Sequence, residues 1–299
     1  MKLTELASNR PLVTAELIPD RVVTRDLALL QHTVDAITVP ALQRLPEDPS
    51  YPSSFNVTPQ QRSVASALIV QRNGMESIPS LTCRDFRKSD LPIIPSLLGL
   101  GLDNLLVLFG DPLPGTSVRK YGFAKTRDLI QSIVSVCETR KPCIGAVTNQ
   151  YAANQENEVS RTLGKVDAGA DFIVTNVTFD ADQLLNHVDN LRSRGLRVPL
   201  LAQVSIPASL ANLKFLHHKF DIPVPSSVLA EMSRKDDPRP GISVAARAFK
   251  RLRNEVDGIH FSYLLRSRNP IPIYHVLLEG LGIKRATAGY QSVVQPILE

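Results

Sequence analysis

The chain alternates eight times between a short apolar run and a longer segment with helical periodicity. The runs are rich in Val, Ile, Leu and Thr and nearly continuous in apolar character, which is typical of parallel strands buried on both faces. They lie at residues 12–18, 35–41, 78–83, 104–111, 143–149, 171–179, 198–206 and 257–264. Repeated strand-then-helix units predict parallel pairing, and eight of them close naturally into a barrel. We therefore expect an α/β fold, a single (β/α)₈ TIM barrel over residues 1–299, with a doubly wound open sheet as the alternative.

The segments between the runs predict helices and three long loops. Apolar residues with helical spacing indicate helices over residues 57–72, 125–139 and 181–194, and a further helix from about residue 156. Proline-rich stretches at 43–59, 111–125 and 221–241 predict irregular structure. The first two follow the second and fourth strands, so they belong to the active face of a barrel, where long loops often cover a ligand.

Composition excludes several classes of protein. The 299 residues are 43% hydrophobic, yet no stretch approaches the roughly 20 apolar residues that cross a bilayer. We expect no membrane association and no signal peptide. Three cysteines, Cys83, Cys137 and Cys143, without C-x-x-C spacing, argue against disulfides and a zinc site and favour the cytoplasm. No histidine pair has ligand spacing, so we expect no metal.

The net charge of +5 is compatible with two classes of partner, nucleic acids and anionic small molecules. The densest basic cluster, Lys250, Arg251 and Arg253, lies beside Glu255 and Asp257 in an apparent helix. We interpret it as a solvated helix face rather than a nucleic-acid surface, and expect no nucleic-acid partner. An anionic small molecule is another partner that excess positive charge would suit.

Polar side chains interrupt the apolar runs near their carboxyl ends. In a barrel such side chains point into the active site. The candidates are Glu16, Thr82, Asp111, Asn149, Gln150, Asn176, Gln203, Ser262 and Arg266.

Three of these candidates allow a specific chemical interpretation. Glu16 lies within an apolar run, where desolvation raises the pKa of a carboxyl and suits a general acid; a structural ion pair is the alternative. Asp111 follows Gly110 and is either a functional group or a turn residue. Arg266 either lies on the surface or binds a ligand carboxylate.

Other common catalytic motifs are absent from the sequence. There is no phosphate-binding P-loop, and the glycines of residues 99–104 precede a strand instead of following one. Ser205 and Ser262 lack the context of a nucleophile elbow, which argues against acyl transfer.

Five segments, in order, resemble the methylenetetrahydrofolate reductase family. The most specific is KVDAGADFIVTNVTFDAD at 165–182; the others are AELIPD at 15–20, SLTCRD at 80–85, LVLFGDP at 106–112 and IHFSYLLR at 259–266. The resemblance runs from roughly residue 13 to residue 283. It implies a (β/α)₈ barrel that transfers hydride from NAD(P)H to 5,10-methylenetetrahydrofolate, giving the 5-methyl form.

The resemblance also implies roles for individual residues. Glu16 would protonate N10 of the folate, Asp111 would contact the pterin or the hydride donor, and Arg266 would bind the folate's glutamate. Asn176 stands where the family has Gln and is assigned to the substrate. Gln203 and Thr82 are assigned to the substrate from their places at strand ends. Asn149 and Lys165 are assigned to the cofactor.

The sequence departs from the family where the family binds FAD. Single residues differ at four positions: the family's His, Arg, aromatic residue and Thr are replaced here by Ser80, Phe109, Val147 and Pro40, respectively. In addition, residues 148–153 replace the family's Pro-Glu-x-His-Pro-Glu segment. Losing several polar contacts together weakens cofactor binding, so we expect no tight binding of FAD and a reductase in which hydride passes directly from NAD(P)H. Binding of FAD, the family's usual cofactor, through other groups is the alternative. The alternatives are another tetrahydrofolate-dependent one-carbon enzyme and a folate-binding subunit. A homo-oligomer is compatible with the sequence.

Overall fold

The strands form a closed parallel barrel. The structure is a computed structural model of the chain, and it describes residues 1–8, 10–19, 24–42, 57–111, 117–137, 139–232, 238–263 and 269–283. Each strand pairs with the next along the chain, and the last pairs with the first. The closed sheet confirms the predicted (β/α)₈ barrel and excludes the alternative of a doubly wound open sheet.

The strands fall within the eight apolar runs or start up to two residues before them. They are β1 Leu12–Glu16, β2 Ala36–Val39, β3 Glu76–Thr82, β4 Asn104–Leu108, β5 Cys143–Thr148, β6 Phe172–Thr175, β7 Leu200–Ser205 and β8 Gly258–Ser262. The helices are α1 Leu3–Ala7, α2 Thr24–Leu27, α3 Pro59–Arg72, α4 Ile93–Gly99, α5 Thr126–Ser135, α6 Gln155–Asp167, α7 Ala181–Ser193, α8 Leu210–Phe220, α9 Ser226–Glu231, α10 Arg239–Leu252 and α11 Ile271–Gly280. None of those helices combines the length and the apolar character that crossing a bilayer requires.

The predicted irregular stretch at 221–241 is wrong in part, because it contains α9 and the start of α10. Pro225 and Pro238 occupy the N-cap positions of these helices. Proline is tolerated where a helix begins, since the amide hydrogen that it lacks has no partner there. Of the other two predicted loops, residues 43–56 and 112–116 lie outside the described residues.

Local capping explains where the helices start. Thr58 accepts a hydrogen bond from the amide of Gln61, whose side chain bonds back to the Thr58 amide, so a capping box begins α3. Asp180 accepts from the amides of Asp182 and Gln183 at the start of α7. Part of the 165–182 segment therefore belongs to the scaffold rather than to a site.

Aspartates that precede three even-numbered strands join each of these strands to its predecessor. Asp35 accepts from the amide of Val13, Asp171 from that of Ile144 and Asp257 from that of Leu200, at 2.8–2.9 Å. Each aspartate also pairs with a basic side chain, respectively Arg10, Lys141 and Arg192. These carboxylates lie at the amino ends of the strands, opposite the candidate site.

The amino-terminal half of the barrel interior is filled. Leu12, Leu106, Phe172 and Leu201 belong to one apolar cluster there. The Phe172 ring occupies the space beside Gly145: a Cβ at position 145 would lie 2.3 Å from its Cζ. A ligand can therefore enter only at the carboxyl ends of the strands.

Candidate active site

Two rows of inward-facing side chains line the carboxyl half of the barrel on β7, β8 and β1. Strand neighbours alternate between barrel interior and helix layer, and Ala15, Val204 and Phe261 belong to the core between sheet and helices. Thr14 pairs in register with His260, which pairs with Gln203; one step further, Ser262 pairs with Ser205. We call Thr14, His260 and Gln203 the lower row, and Glu16, Ser262 and Ser205 the upper row.

Glu16 is a buried carboxyl at the mouth of the barrel. Its side chain is 9% exposed, and Oε1 has no hydrogen-bond partner within the described part of the chain. Burial raises the pKa of Glu16 from 4.5 to about 7. No basic side chain of the described ranges pairs with it, so the ion-pair alternative finds no support there. The carboxyl can hold a proton at neutral pH and release it to a base, as a general acid must.

The backbone beneath Glu16 is fixed from outside the barrel. The hydroxyl of Tyr274, on α11, donates to the Glu16 carbonyl at 2.8 Å. Tyr274 is fully buried, so α11 and β1 are joined without water. This contact sets the strand position from which the carboxyl projects.

His260 does not titrate near neutral pH. Its Nδ1 lies 2.9 Å from the hydroxyl of Thr14, and burial lowers the pKa of the imidazole to about 4. A neutral imidazole carries no net charge, so it neither attracts nor repels the carboxylate of Glu16. Acid chemistry at pH 7 therefore falls to the carboxyl.

Asp111 lies at the end of β4 beside a buried arginine. Its carbonyl accepts from Nη1 of Arg84 at 3.1 Å, and Nη2 of the same guanidinium reaches the Ala41 carbonyl at 3.4 Å. Arg84 also forms a two-pronged pair with Asp85, at 2.7 and 2.6 Å. One guanidinium thus joins the chain segments that follow β2, β3 and β4, and it fixes the backbone of Asp111, an exposed residue.

Asn149, Gln150 and Asn176 form a network of amides where β5 and β6 end. Asn176 Nδ2 donates to Asn149 Oδ1 at 3.3 Å. The Gln150 side chain bonds both the amide and the carbonyl of Asn176, at 3.0 and 2.8 Å. The predicted substrate residue and the predicted cofactor residue thus lie side by side, each partly used by its neighbours.

Lys165 lies behind the barrel wall, between α6 and β5. Its ammonium donates to the Val147 carbonyl at 2.6 Å and lies 3.9 Å from Glu158. Burial lowers its pKa, against the opposing effect of Glu158. Among the described residues, no group of three His, Cys, Asp or Glu side chains could hold a metal.

The remaining predicted site residues are placed as follows. Gln203 is half-buried in the lower row. Thr82 is buried at the end of β3, where its hydroxyl accepts from the Asp85 amide at 3.2 Å. Arg266 lies outside the described residues, so its assignment stays a prediction. Arg251 pairs with Asp182 at 2.9 Å on the outer helix surface.

His260, Arg84 and Ser205 contribute to this region but were not singled out from the sequence. Counting in steps of two from Glu16 and Gln203 along their strands, and across the register to β8, would have identified His260 and Ser205. Arg84 carries no such periodic signal, because Ala41 and Asp111, whose carbonyls it bonds, follow other strands of the barrel.

The family model for methylenetetrahydrofolate reductase matches residues 51–277. Methylenetetrahydrofolate reductase 1 of Schizosaccharomyces pombe is 31% identical over 106 residues, which cover 33% of this chain and 17% of that protein. The chain thus spans less than a fifth of that relative's length. The 5,10-methylenetetrahydrofolate reductase of Salmonella typhimurium is 24% identical over 218 residues, covering 70% of this chain and 72% of that one.

A solved structure has the same fold. It is an uncharacterised protein from Clostridium thermocellum, described as binding two copies of 5-methyl-5,6,7,8-tetrahydrofolic acid. The TM-score is 0.68 at 12% identity, over 93% of this chain and 98% of that one. The family model covers far more than half of the sequence, and the barrel agrees with it: the chain belongs to the methylenetetrahydrofolate reductase family.

Proposed function

We propose that this chain reduces 5,10-methylenetetrahydrofolate to 5-methyltetrahydrofolate with hydride taken directly from NAD(P)H. The observation that carries the proposal is Glu16, a nearly buried carboxyl with a pKa of about 7 at the open end of the barrel, whose Oε1 has no hydrogen-bond partner among the described residues. Family membership and the folate-binding neighbour of the same fold support the substrate class.

Glu16 supplies the proton that the reaction consumes. Its protonated carboxyl donates to N10 of the folate, the bond between N10 and the methylene carbon breaks, and an iminium forms at N5. Hydride from C4 of the nicotinamide adds to the methylene carbon, so that one proton and one hydride are used per turnover. A neutral and nearly buried acid suits this step, because the negative charge of the carboxylate appears only as the proton leaves.

The residues at the family's flavin positions do not fit a flavin well. Phe109 packs its ring on Tyr121 with centroids 5.1 Å apart, and Val147 presents an apolar side chain. Ser80 is the exception: it is fully buried, and its hydroxyl has no hydrogen-bond partner among the described residues. The Lys165 ammonium is already bound to a backbone carbonyl. These groups offer few free donors to a pyrophosphate or a flavin ring, which supports direct transfer between nicotinamide and folate.

Anaerobic turnover of the purified protein tests the proposal. NAD(P)H oxidation that depends on methylenetetrahydrofolate, at the same rate with and without added FAD and with no flavin absorbance, is the expected result. Glu16→Gln should lower kcat by roughly 10²–10⁴. A protein that binds 5-methyltetrahydrofolate but oxidises neither nucleotide would favour another folate enzyme or a folate-binding subunit.

A further inference from the structure

Buried polar atoms without partners concentrate on the inner wall of the barrel. Within the described ranges, Oε1 of Glu16 and the hydroxyls of Ser80, Ser205 and Ser262 are buried and form no hydrogen bond. All three serines have no exposed surface. Serines between the sheet and the helix layer are different: Ser63 of α3 donates to the Val39 carbonyl at 2.6 Å, and Ser77 of β3 bonds Gln71 Oε1 at 3.3 Å.

Two of these serines lie in one row with Glu16. Ser205 and Ser262 are direct register partners on β7 and β8. On β8 and β1, Phe261 pairs with Ala15, so Ser262 and Glu16 come next on their strands. Adjacent strands are about 4.8 Å apart, and the three side chains therefore project side by side into the mouth.

Unpaired hydroxyls at these positions are unfavourable in the free protein. A buried donor or acceptor without a partner costs roughly 1–3 kcal/mol, whereas an apolar group of similar shape costs nothing of the kind. Alanine would fill either strand position with less loss. Serine at both positions indicates that a ligand makes the missing hydrogen bonds.

We propose that Ser205 and Ser262 bind the heterocycle that lies beside Glu16 in the mouth, through an edge that carries a carbonyl beside an N–H. Each hydroxyl can donate one hydrogen bond and accept two. Two hydroxyls about 5 Å apart can converge on neighbouring atoms of one ring edge. The pterin ring and the carboxamide of nicotinamide both present this chemistry. In a reduced pterin the carbonyl also lies next to N5, the atom that bears the one-carbon unit. This inference rests on the proposed function of the mouth.

Stability and binding measured together test the proposal. Ser205→Ala and Ser262→Ala are compared with wild type and with Ser77→Ala, a buried strand serine that has a partner outside the mouth. Without ligand, the two mouth variants should have the same Tm as wild type or a higher one, while Ser77→Ala has a lower Tm. Each mouth variant should bind its ligand about 5- to 30-fold more weakly, and Ser77→Ala should bind as wild type does.

Separate titrations identify the bound edge. Weaker binding of 5-methyltetrahydrofolate with unchanged NADPH binding assigns the serines to the pterin, and the reverse assigns them to nicotinamide. Unchanged affinity for both, or a Tm that falls as in Ser77→Ala, overturns the proposal while the wild-type turnover leaves the reductase function intact. A wild-type protein that binds neither ligand overturns both.

Discussion

Glu16 combines two properties that seldom coexist in a carboxyl: near-complete burial and an oxygen that has no partner within the described part of the chain. Burial disfavours the charged form, so the pKa rises to about 7. The nearest titratable neighbour in the lower row, His260, has its pKa lowered to about 4 and stays neutral over the same range. One ionisation therefore dominates the mouth near neutral pH.

The activity should follow this single ionisation. Because the acid must be protonated, kcat/KM is expected to be constant below pH 6 and to fall about tenfold per pH unit above pH 8, with a midpoint near 7. Initial rates between pH 5.5 and 9 measure the profile. A rate that stays flat up to pH 9 would contradict the role of Glu16 as the acid.

Stability should depend on pH through the same group. The folded-state pKa lies above the ordinary value of 4.5, so the stabilisation is complete below pH 4.5 and is lost as pH rises through 7. Glu16→Gln removes the buried charge and should stabilise the fold at pH 8.5 by on the order of 3 kcal/mol, with little change at pH 5. Urea unfolding at both pH values measures the difference. Equal effects at the two pH values would refute the burial argument.

At the scale of single elements, packing inside the barrel depends on the contact between β5 and β6. A Cβ on Gly145 would lie 2.3 Å from Phe172 Cζ, inside van der Waals contact. Gly145→Ala should therefore destabilise the fold by about 1–3 kcal/mol. Adding Phe172→Leu should recover part of the loss, and thermal unfolding of the single and double variants completes the cycle. Strict additivity would show that the two side chains do not compete for this space.

The loops at the mouth depend on Arg84. Arg84→Met leaves Asp85 nearly buried and unpaired, with its side chain 8% exposed, and should cost about 3–5 kcal/mol. Asp111 loses a backbone contact, so KM should rise. Arg87→Met is the matched control: Arg87 is exposed, the one hydrogen bond of its guanidinium among the described groups goes to the Lys120 carbonyl, and its loss should cost under about 0.5 kcal/mol. Similar losses of unfolding free energy in the two variants would argue against the role of Arg84 in holding these loops together.

On the scale of the whole molecule, the eight apolar runs predicted a closed barrel. Each unit of a buried strand followed by a helix can be identified from its own local pattern, and eight such units close into a barrel. The positions of Glu16 and Gln203 followed from the same rule. The contacts of Arg84 and the pairing of Asn149 with Asn176 depend on the paths of the loops that follow neighbouring strands, which periodicity does not encode. The helices of residues 221–241 were missed because their prolines were interpreted as breakers, although proline also begins helices.

Groups that stabilise the barrel and groups that can bind a ligand lie at opposite ends of the strands. Aspartates join pairs of strands at the amino ends, and Phe172 fills the space beside Gly145. Of the five buried side-chain atoms without a partner among the described residues, the three of the upper row lie at the carboxyl ends of their strands; Ser80 lies on β3, and His275 lies on α11. Substitutions at the amino ends should therefore act on folding, and those in the upper row on ligand binding.

The origin of the hydrogen added to the folate tests the central claim most directly. NAD(P)H deuterated at C4 on either face is supplied anaerobically in ordinary water, and mass spectrometry then measures deuterium in the methyl group of 5-methyltetrahydrofolate. Direct transfer predicts one deuterium per methyl group from one of the two labelled faces. A methyl group without label from both, formed by a protein that carries flavin, would mean that the hydride passes through an exchangeable N–H, and would contradict direct transfer.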